Sequence, residues 1–339
     1  MKKFRMKYSV RFVNAIHKAR EFGILFIISQ VWLAFLKKFK NRKFSLLNRE
    51  LKSAFYFEQK IILSYLKKDN TNIVSKYISE KNDVPITGNK VIWVYWNDDL
   101  ESAPKIVQAC VNSIKSNSGV QNIRVIDFIS VQQYIDIPDS LLKKVSSGFV
   151  SQALFTDYLR FKLLYNYGGV WLDATCFCTD KIPNSVFLSQ IYSVKNLNGF
   201  NFDGIGEYQF LDIKKWTSYF VAGQKGGLFS KYMYESLEDY INRHDILIHY
   251  HLVFYYAKIA REVIPIFREE YSQIEDNNAS VELLAPLLNE SYFSSNVQLV
   301  LSDNSNWFYK LTYKNNFIAD NDSLYNVVLK KYIGDKNGN

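Results

Sequence analysis

Phe155-Thr-Asp-Tyr-Leu-Arg-Phe-Lys-Leu-Leu-Tyr-Asn-Tyr-Gly-Gly-Val-Trp-Leu-Asp-Ala-Thr175 is the stretch whose reading decides the fold. Wound as a helix, it puts Val150, Ala153, Asp157, Arg160, Leu164 and Tyr167 on one face, so a charged pair interrupts a row that is otherwise apolar or aromatic. Two readings of that pair stay open from the residues alone. At the surface it is an ordinary i,i+3 ion pair that contributes little. Buried, it is costly to desolvate, and such pairs are retained where the charges have a partner or a task. Gly168-Gly169 stops the helix, because glycine accepts the left-handed conformation at a helix C-terminus. Val170-Trp171-Leu172 then enters as a buried strand with Asp173 at its carboxyl end, where open α/β sheets bind ligands.

Outward from this stretch the pattern repeats. Val91–Trp96 reads as a strand, 104–115 as a helix, Ile123–Phe128 as a strand, Leu141–Val145 as a short helix, 149–167 as a helix and 170–175 as a strand. This alternation predicts an α/β fold with a mainly parallel, Rossmann-like sheet and helices on both faces. Beyond Asn184 we expect strands over 186–194 and 219–222, helices over 228–242 and 250–263, and a polar tail. Residues 44–80 read as helical from apolar residues at three- and four-residue spacing, so the fold carries a helical N-terminal extension. Four segments are expected: a basic, apolar membrane-associating helix over 1–44, a helical linker over 45–88, a nucleotide-binding core over 89–245, and a helical region with a tail over 246–339.

Charge is distributed unevenly along the 339 residues. Residues 1–43 hold twelve basic side chains against Glu21 alone, a net +11; with +9 for the whole chain, the remainder is −2. A body without excess positive charge lacks the footprint for a phosphate backbone, so nucleic acid is excluded as a partner. The basic segment brackets the apolar run from Phe22 to Leu36, which is short of the ~20 residues of a perpendicular membrane span. It leads into Lys37-Lys38, not into a signal-peptidase site. The run is therefore expected to lie in an anionic membrane surface, at the cytoplasmic face; the alternative is a helix packed on the protein's own core. Cys110, Cys176 and Cys178 are too few for a disulfide framework and fit a reducing compartment.

Four further segments, Val91-Ile-Trp-Val-Tyr-Trp96, Ala103-Pro-Lys-Ile-Val107, Tyr167-Gly-Gly-Val-Trp-Leu-Asp-Ala-Thr175 and Lys310-Leu-Thr-Tyr313, join the Asp157–Arg160 helix in one resemblance. The chain resembles the bacterial capsular polysaccharide synthesis glycosyltransferases, relatives of a wider group with a DXD sugar-binding region that includes fungal mannosyltransferases and large clostridial glucosylating toxins. The match is specific from Asp157 to Asp173 and weaker towards Tyr313. It implies a GT-A fold, a nucleotide diphosphate sugar donor, a lipid-linked saccharide acceptor, and Mn²⁺ or Mg²⁺ as cofactor. By position it implies Asp157 and Arg160 as donor-sugar contacts, Trp93 as the nucleobase platform with Tyr95 beside it, and Asp173 as metal or diphosphate ligand. Thr175 stands where the wider group has a second Asp, which weakens the metal inference; Asp180, His249 and His251 are the candidates to compensate. Asn97-Asp98-Asp99 reads as a pocket lining or an acidic turn. Gly223-Gln-Lys-Gly-Gly227 reads as a turn, or as a backbone cradle with Lys225 supplying charge to the donor. Two other functions stay open: a protein-glycosylating effector and a non-catalytic scaffold of a polysaccharide-assembly complex.

Overall fold

The computed structural model describes residues 15–38, 45–81, 83–197, 209–317 and 320–334. The basic side chains Lys2, Lys3, Arg5, Lys7, Arg11, Lys40, Arg42 and Lys43 lie outside them. After a helical segment over 15–22 come α1 (Ile24–Lys37), α2 (Ser45–Asp69) and α3 (Thr71–Tyr77). The sheet region follows with β1 (Val91–Tyr95), α4 (Lys105–Asn117), β2 (Asn122–Ile126), α5 (Asp139–Ser146), α6 (Gln152–Tyr167) and β3 (Gly169–Leu172). Then come β4 (Cys176–Cys178), α7 (Asn184–Phe187), β5 (Ile191–Ser193) and β6 (Phe220–Gly223). The remainder comprises α8 (Leu228–Arg243), α9 (Leu252–Val263), α10 (Pro265–Ser272), α11 (Ser295–Leu301), β7 (Phe308–Lys310) and α12 (Leu324–Ile333).

The central sheet has the order β2-β1-β3-β6-β5. β1 pairs in parallel with β2 and with β3, while β6 runs antiparallel to both β3 and β5. Four of the five strands therefore point the same way, as the βα alternation predicts for a buried parallel sheet. β1 and β3 are buried along their whole length, matching their unbroken apolar runs.

Local chemistry explains the hinge between α6 and β3. The Ser151 hydroxyl caps α6 by accepting from the Leu154 amide at 3.2 Å. At the other end Gly168 and Gly169 have φ of 68° and 95°. A Cβ on Gly168 would lie 2.6 Å from the Lys225 amide nitrogen, and one on Gly169 2.4 Å from the Val91 carbonyl oxygen. Glycine is required here by close backbone approach as well as by left-handed geometry.

Three expectations are corrected. The strand expected over 186–194 divides into the short α7 and β5, because Pro183 opens a helical turn there. The strand expected over 170–175 ends at Leu172: Asp173 turns the chain, and Cys176–Cys178 belongs to a separate two-stranded sheet, antiparallel to β7. The polar tail is structured up to α12, which is tied to α4 where Asn112 and Asn117 donate to the Tyr332 carbonyl and hydroxyl. A single core runs from Phe22 to Val328, so residues 89–245 and 246–333 share one interior.

α1 packs one face of the N-terminal apolar run on the protein's own core and leaves the other exposed. Phe26, Ser29, Leu33 and Leu36 face inward, the leucines packing on Leu51, Ala54 and Phe55 of α2. Ile24, Leu25, Ile28, Val31 and Phe35 are exposed on the opposite side. No helix among the described residues is long and apolar enough to cross a membrane.

Candidate functional site

Asp157 and Arg160 are buried, at 8% and 3% exposure, which removes the surface-pair reading. They form an ion pair within α6, one turn apart. Trp171 organises what surrounds them. It sits two residues before Asp173, so both side chains leave the strand end on the same side. The Trp171 indole donates to Asp173 Oδ1 at 2.9 Å, and the Arg160 guanidinium lies 5.0 Å above its ring. Arg160 also reaches Asp173 Oδ1, at 3.3 Å. The helix pair and the strand carboxylate thus converge on one point.

A fourth charge arrives from far along the chain. β7 pairs with β4 so that Lys310 lies opposite Cys176, and this register carries the Lys310 ammonium to Asp173 Oδ2 at 3.0 Å and to the Thr175 hydroxyl. Its Nζ also lies 5.4 Å from the centre of the Tyr219 ring. Behind it, Glu282 is buried beside the Tyr219 hydroxyl.

The electrostatics follow from this geometry. Burial pushes the Asp157 carboxyl up to about 6, with Arg160 pulling the other way. Burial would raise Asp173 too, but Lys310 and Arg160 overcome it and hold that carboxyl well below the usual range. Burial acts to lower the Lys310 ammonium, and Asp173 reverses the effect, so it stays charged. Burial lifts Glu282 to about 7 in spite of Lys310.

The remaining residues named from the sequence are placed as follows. Tyr95 lies at the same end of the sheet, its ring stacked on Trp171 at 6.5 Å and its hydroxyl donating to Asn97 Oδ1. Trp93 is 2% exposed, donates to the Gly168 carbonyl at 3.1 Å, and is enclosed by Tyr134 and Tyr167. Its ring is thus a packing element at the amino end of β3, with no face open to a base. Lys225 is also at that end: Gly223 pairs with Gly169, and the Gly226 amide donates to the Tyr165 carbonyl. The four residues of β3 separate it from Asp173 by about 13 Å of strand. The Lys225 loop therefore serves helix-strand packing. His251 precedes α9 and packs against Phe210, Tyr250 and Phe254, burial pushing its imidazole down to about 4. His249 accepts from the His251 amide, and Asp180 caps its own loop by accepting from the Lys181 amide.

Three aromatic residues were given no site role by the sequence reading. Trp96, at the end of β1, meets Tyr313 edge-on at 5.5 Å. Tyr250 is 56% exposed, and the Asp157, Tyr313 and Asp173 charges add to partial burial in raising its hydroxyl. These rings form an aromatic rim beside the charges. The Lys310-Leu-Thr-Tyr313 segment was visible as a motif, but nothing local to it names its partner. An open depression of about 440 Å³ lies elsewhere, bounded by Lys162, Tyr234 and Glu238. Lys162 projects from α6 roughly opposite Arg160, by helix geometry, and the depression contains no buried ion-pair cluster.

A divalent ion requires oxygen ligands with free lone pairs directed at it, at about 2.0–2.6 Å. Asp173 Oδ1 accepts from Trp171 and Arg160, while Asp173 Oδ2 and the Thr175 hydroxyl both receive the Lys310 ammonium. No three His, Cys, Asp or Glu side chains among the described residues are grouped to hold a metal. His251 does not join Asp173 in a ligand set. In this arrangement the Asp173 and Thr175 oxygens each already meet a protein hydrogen-bond donor.

Fold and site together define an α/β protein in which a helix, the end of a parallel strand and a strand of the small antiparallel sheet bring two carboxylates and two cations into one cluster. The chain belongs to the capsular polysaccharide synthesis protein family, whose model matches residues 41–329. It is similar to an O-glycosyltransferase of Annulohypoxylon truncatum, 26% identical over 102 residues, 27% of this chain and 24% of that one. It is also similar to a probable glycosyltransferase of Fusarium pseudograminearum, 30% identical over 101 residues, 27% of this chain and 26% of that one. The chain spans about a quarter of the length of these relatives.

Proposed function

We propose that this protein is a glycosyltransferase that moves a sugar from a nucleotide diphosphate sugar to a lipid-linked saccharide during surface polysaccharide synthesis. One observation supports the reading above the others: Asp157, Arg160, Asp173 and Lys310 converge at the carboxyl end of β3, partly open to solvent on the Asp173 and Lys310 side. Asp157 is the acceptor for sugar hydroxyls. Arg160, held by Asp157 and Asp173, fixes its positive charge at the same point. Positive charge fixed where the leaving diphosphate gains negative charge lowers the barrier without reorganisation. Trp96, Tyr250 and Tyr313 offer ring faces and edges to sugar at the entrance.

The exposed apolar stripe of α1, followed by Lys37 and Lys38, suits attachment to an anionic membrane surface, in this reading the cytoplasmic face of the cell membrane. Lys37 and Lys18 are near enough for their charges to act on His249, the neighbour of rim residue Tyr250. An acceptor held in the bilayer then meets the site at high effective concentration.

The test is release of nucleoside diphosphate from a panel of nucleotide sugars, with and without membrane extract as acceptor. Release that disappears in Asp173→Ala supports transfer; a panel without any turnover leaves the scaffold reading in its place. Flotation with phosphatidylglycerol vesicles checks attachment. Ile28→Asp with Val31→Asp is expected to abolish flotation while leaving the melting temperature within a few degrees, since both residues are exposed.

A further inference from the structure

The Asp173-Ala-Thr175 turn presents two oxygens at the spacing of a cation site, and the molecule supplies its own cation. Lys310 Nζ lies 3.0 Å from Asp173 Oδ2 and also bonds the Thr175 hydroxyl, while Arg160 and Trp171 take Asp173 Oδ1. Backbone pairing enforces this placement: Lys310 is in register with Cys176, one residue beyond Thr175, and its amide donates to the Val281 carbonyl. The pairing fixes the Lys310 backbone, and the bonds to Asp173 and Thr175 hold the side chain in the rotamer that reaches them. An ammonium has three N–H donors. Two are used by Asp173 and Thr175, and no third acceptor for Nζ occurs among the described residues. The Lys310 side chain is 22% exposed and that of Asp173 29%, so the remaining donor has access to a ligand.

We propose that the Lys310 ammonium takes the position a divalent ion would occupy at Asp173 and Thr175, binds the donor's diphosphate directly, and makes donor binding independent of divalent metal. The inference rests on the glycosyl-transfer reading for its ligand, and on geometry alone for the occupied cation position. It accounts for Thr175: a hydroxyl suffices to orient an ammonium, whereas a second carboxylate there would over-neutralise it. Lys310 and Arg160 then flank the diphosphate from β7 and α6, with Asp173 holding both cations in place.

Two measurements on the full-length protein test it. The first is binding of UDP and GDP by calorimetry, in EDTA and in Mn²⁺. Wild-type affinity for the nucleotide it accepts is expected to agree within about twofold between the two conditions. Lys310→Met, which keeps the apolar stem, is expected to lose about ten- to a hundredfold in EDTA, the worth of a charged hydrogen bond. The second is Mn²⁺ alone, followed by electron paramagnetic resonance. Wild type should show no tight site, whereas Lys310→Met with Thr175→Asp, which frees Asp173 Oδ2 and adds a carboxylate, should acquire one. Circular dichroism melting establishes that each variant is folded, and Lys310→Arg provides a second, charge-retaining variant that should keep metal-free binding.

Loss of nucleotide binding in EDTA, or a wild-type Mn²⁺ site removed by Asp173→Ala, overturns the proposal. Failure of UDP and GDP to bind under any condition overturns the diphosphate assignment together with the transfer reading. In that event the manganese spectra still decide the cation position, so the two failures are distinguishable.

Discussion

The two ends of β3 use the same kinds of residue for opposite purposes. At the carboxyl end, Trp171 places an indole under Arg160 and donates to Asp173, and four charges share a few ångströms. At the amino end, Trp93 donates to a backbone carbonyl among tyrosines, and the Gly168-Gly169 turn presses against Lys225 and Val91. One tryptophan holds charges in place; the other fills space. The comparison teaches that an aromatic or a lysine near a motif acquires its role from the strand end it occupies.

Several substitutions would break this division of labour. The largest effect is expected for Gly169→Ala, whose Cβ would meet backbone at a positive φ. Strain and overpacking together cost about 2–5 kcal/mol, so thermal melting should fall by many degrees or soluble protein be lost. A stable Gly169→Ala protein that has lost only donor turnover would place the amino end in the site.

Asp173→Ala should act on turnover as well as on the fold. Stability falls by up to roughly 3 kcal/mol, because Arg160 and Lys310 lose their shared carboxylate, but donor turnover per folded molecule falls by about a hundred- to a thousandfold, as for other preorganised charge contacts. Unchanged turnover per folded molecule would reduce the cluster to a structural one.

Asp157 sharpens the comparison through pH. Burial raises its carboxyl to about 6, so it is ionised above that value and protonated below it. An acid whose folded value is raised makes the fold relatively more stable at low pH, and that contribution is lost as pH rises from the carboxyl's ordinary 3.8 through about 6. Donor affinity should run the opposite way, falling as pH drops through about 6. Asp157→Asn should flatten both profiles, as followed by calorimetry and by melting at each pH.

At the amino end the effects are smaller. Trp93→Phe removes one hydrogen bond and part of an aromatic cluster, a loss of about 1–2 kcal/mol in denaturant titration, with unchanged donor affinity per folded molecule. Lys225→Ala should leave donor affinity within about twofold. A tenfold loss from Lys225→Ala would bring that loop into the pocket after all.

Legibility in the sequence followed distance along the chain. The α6 helix, its glycine stop and the strand ending at Asp173 were readable because periodicity and glycine conformation act over a few residues. The burial of Asp157 and Arg160 was foreshadowed by the apolar row around them but decided by the packing of α6 on β3 and α8. Val186-Phe187 was misread as strand because short apolar runs suit either element, and Pro183 tipped the balance. Trp93 was drawn to the pocket by the resemblance and Lys225 by its glycine-rich loop; the Trp93 backbone pairs with Trp171, but its ring turns back to the Gly168 carbonyl, and strand direction puts Lys225 at that same end. Lys310 could not be paired with Asp173 at all, since 137 residues separate them.

The chain by itself determined the order of helices and strands and the meeting of Asp157, Arg160 and Asp173, because one helix, one glycine turn and one strand bring those three together with local geometry alone. Only tertiary structure decided which charges complete the cluster, which rings form its rim, and which cation occupies its centre. Strand register between β4 and β7 is a long-range choice, set by burial of the whole core, and no local pattern in the sequence encodes it.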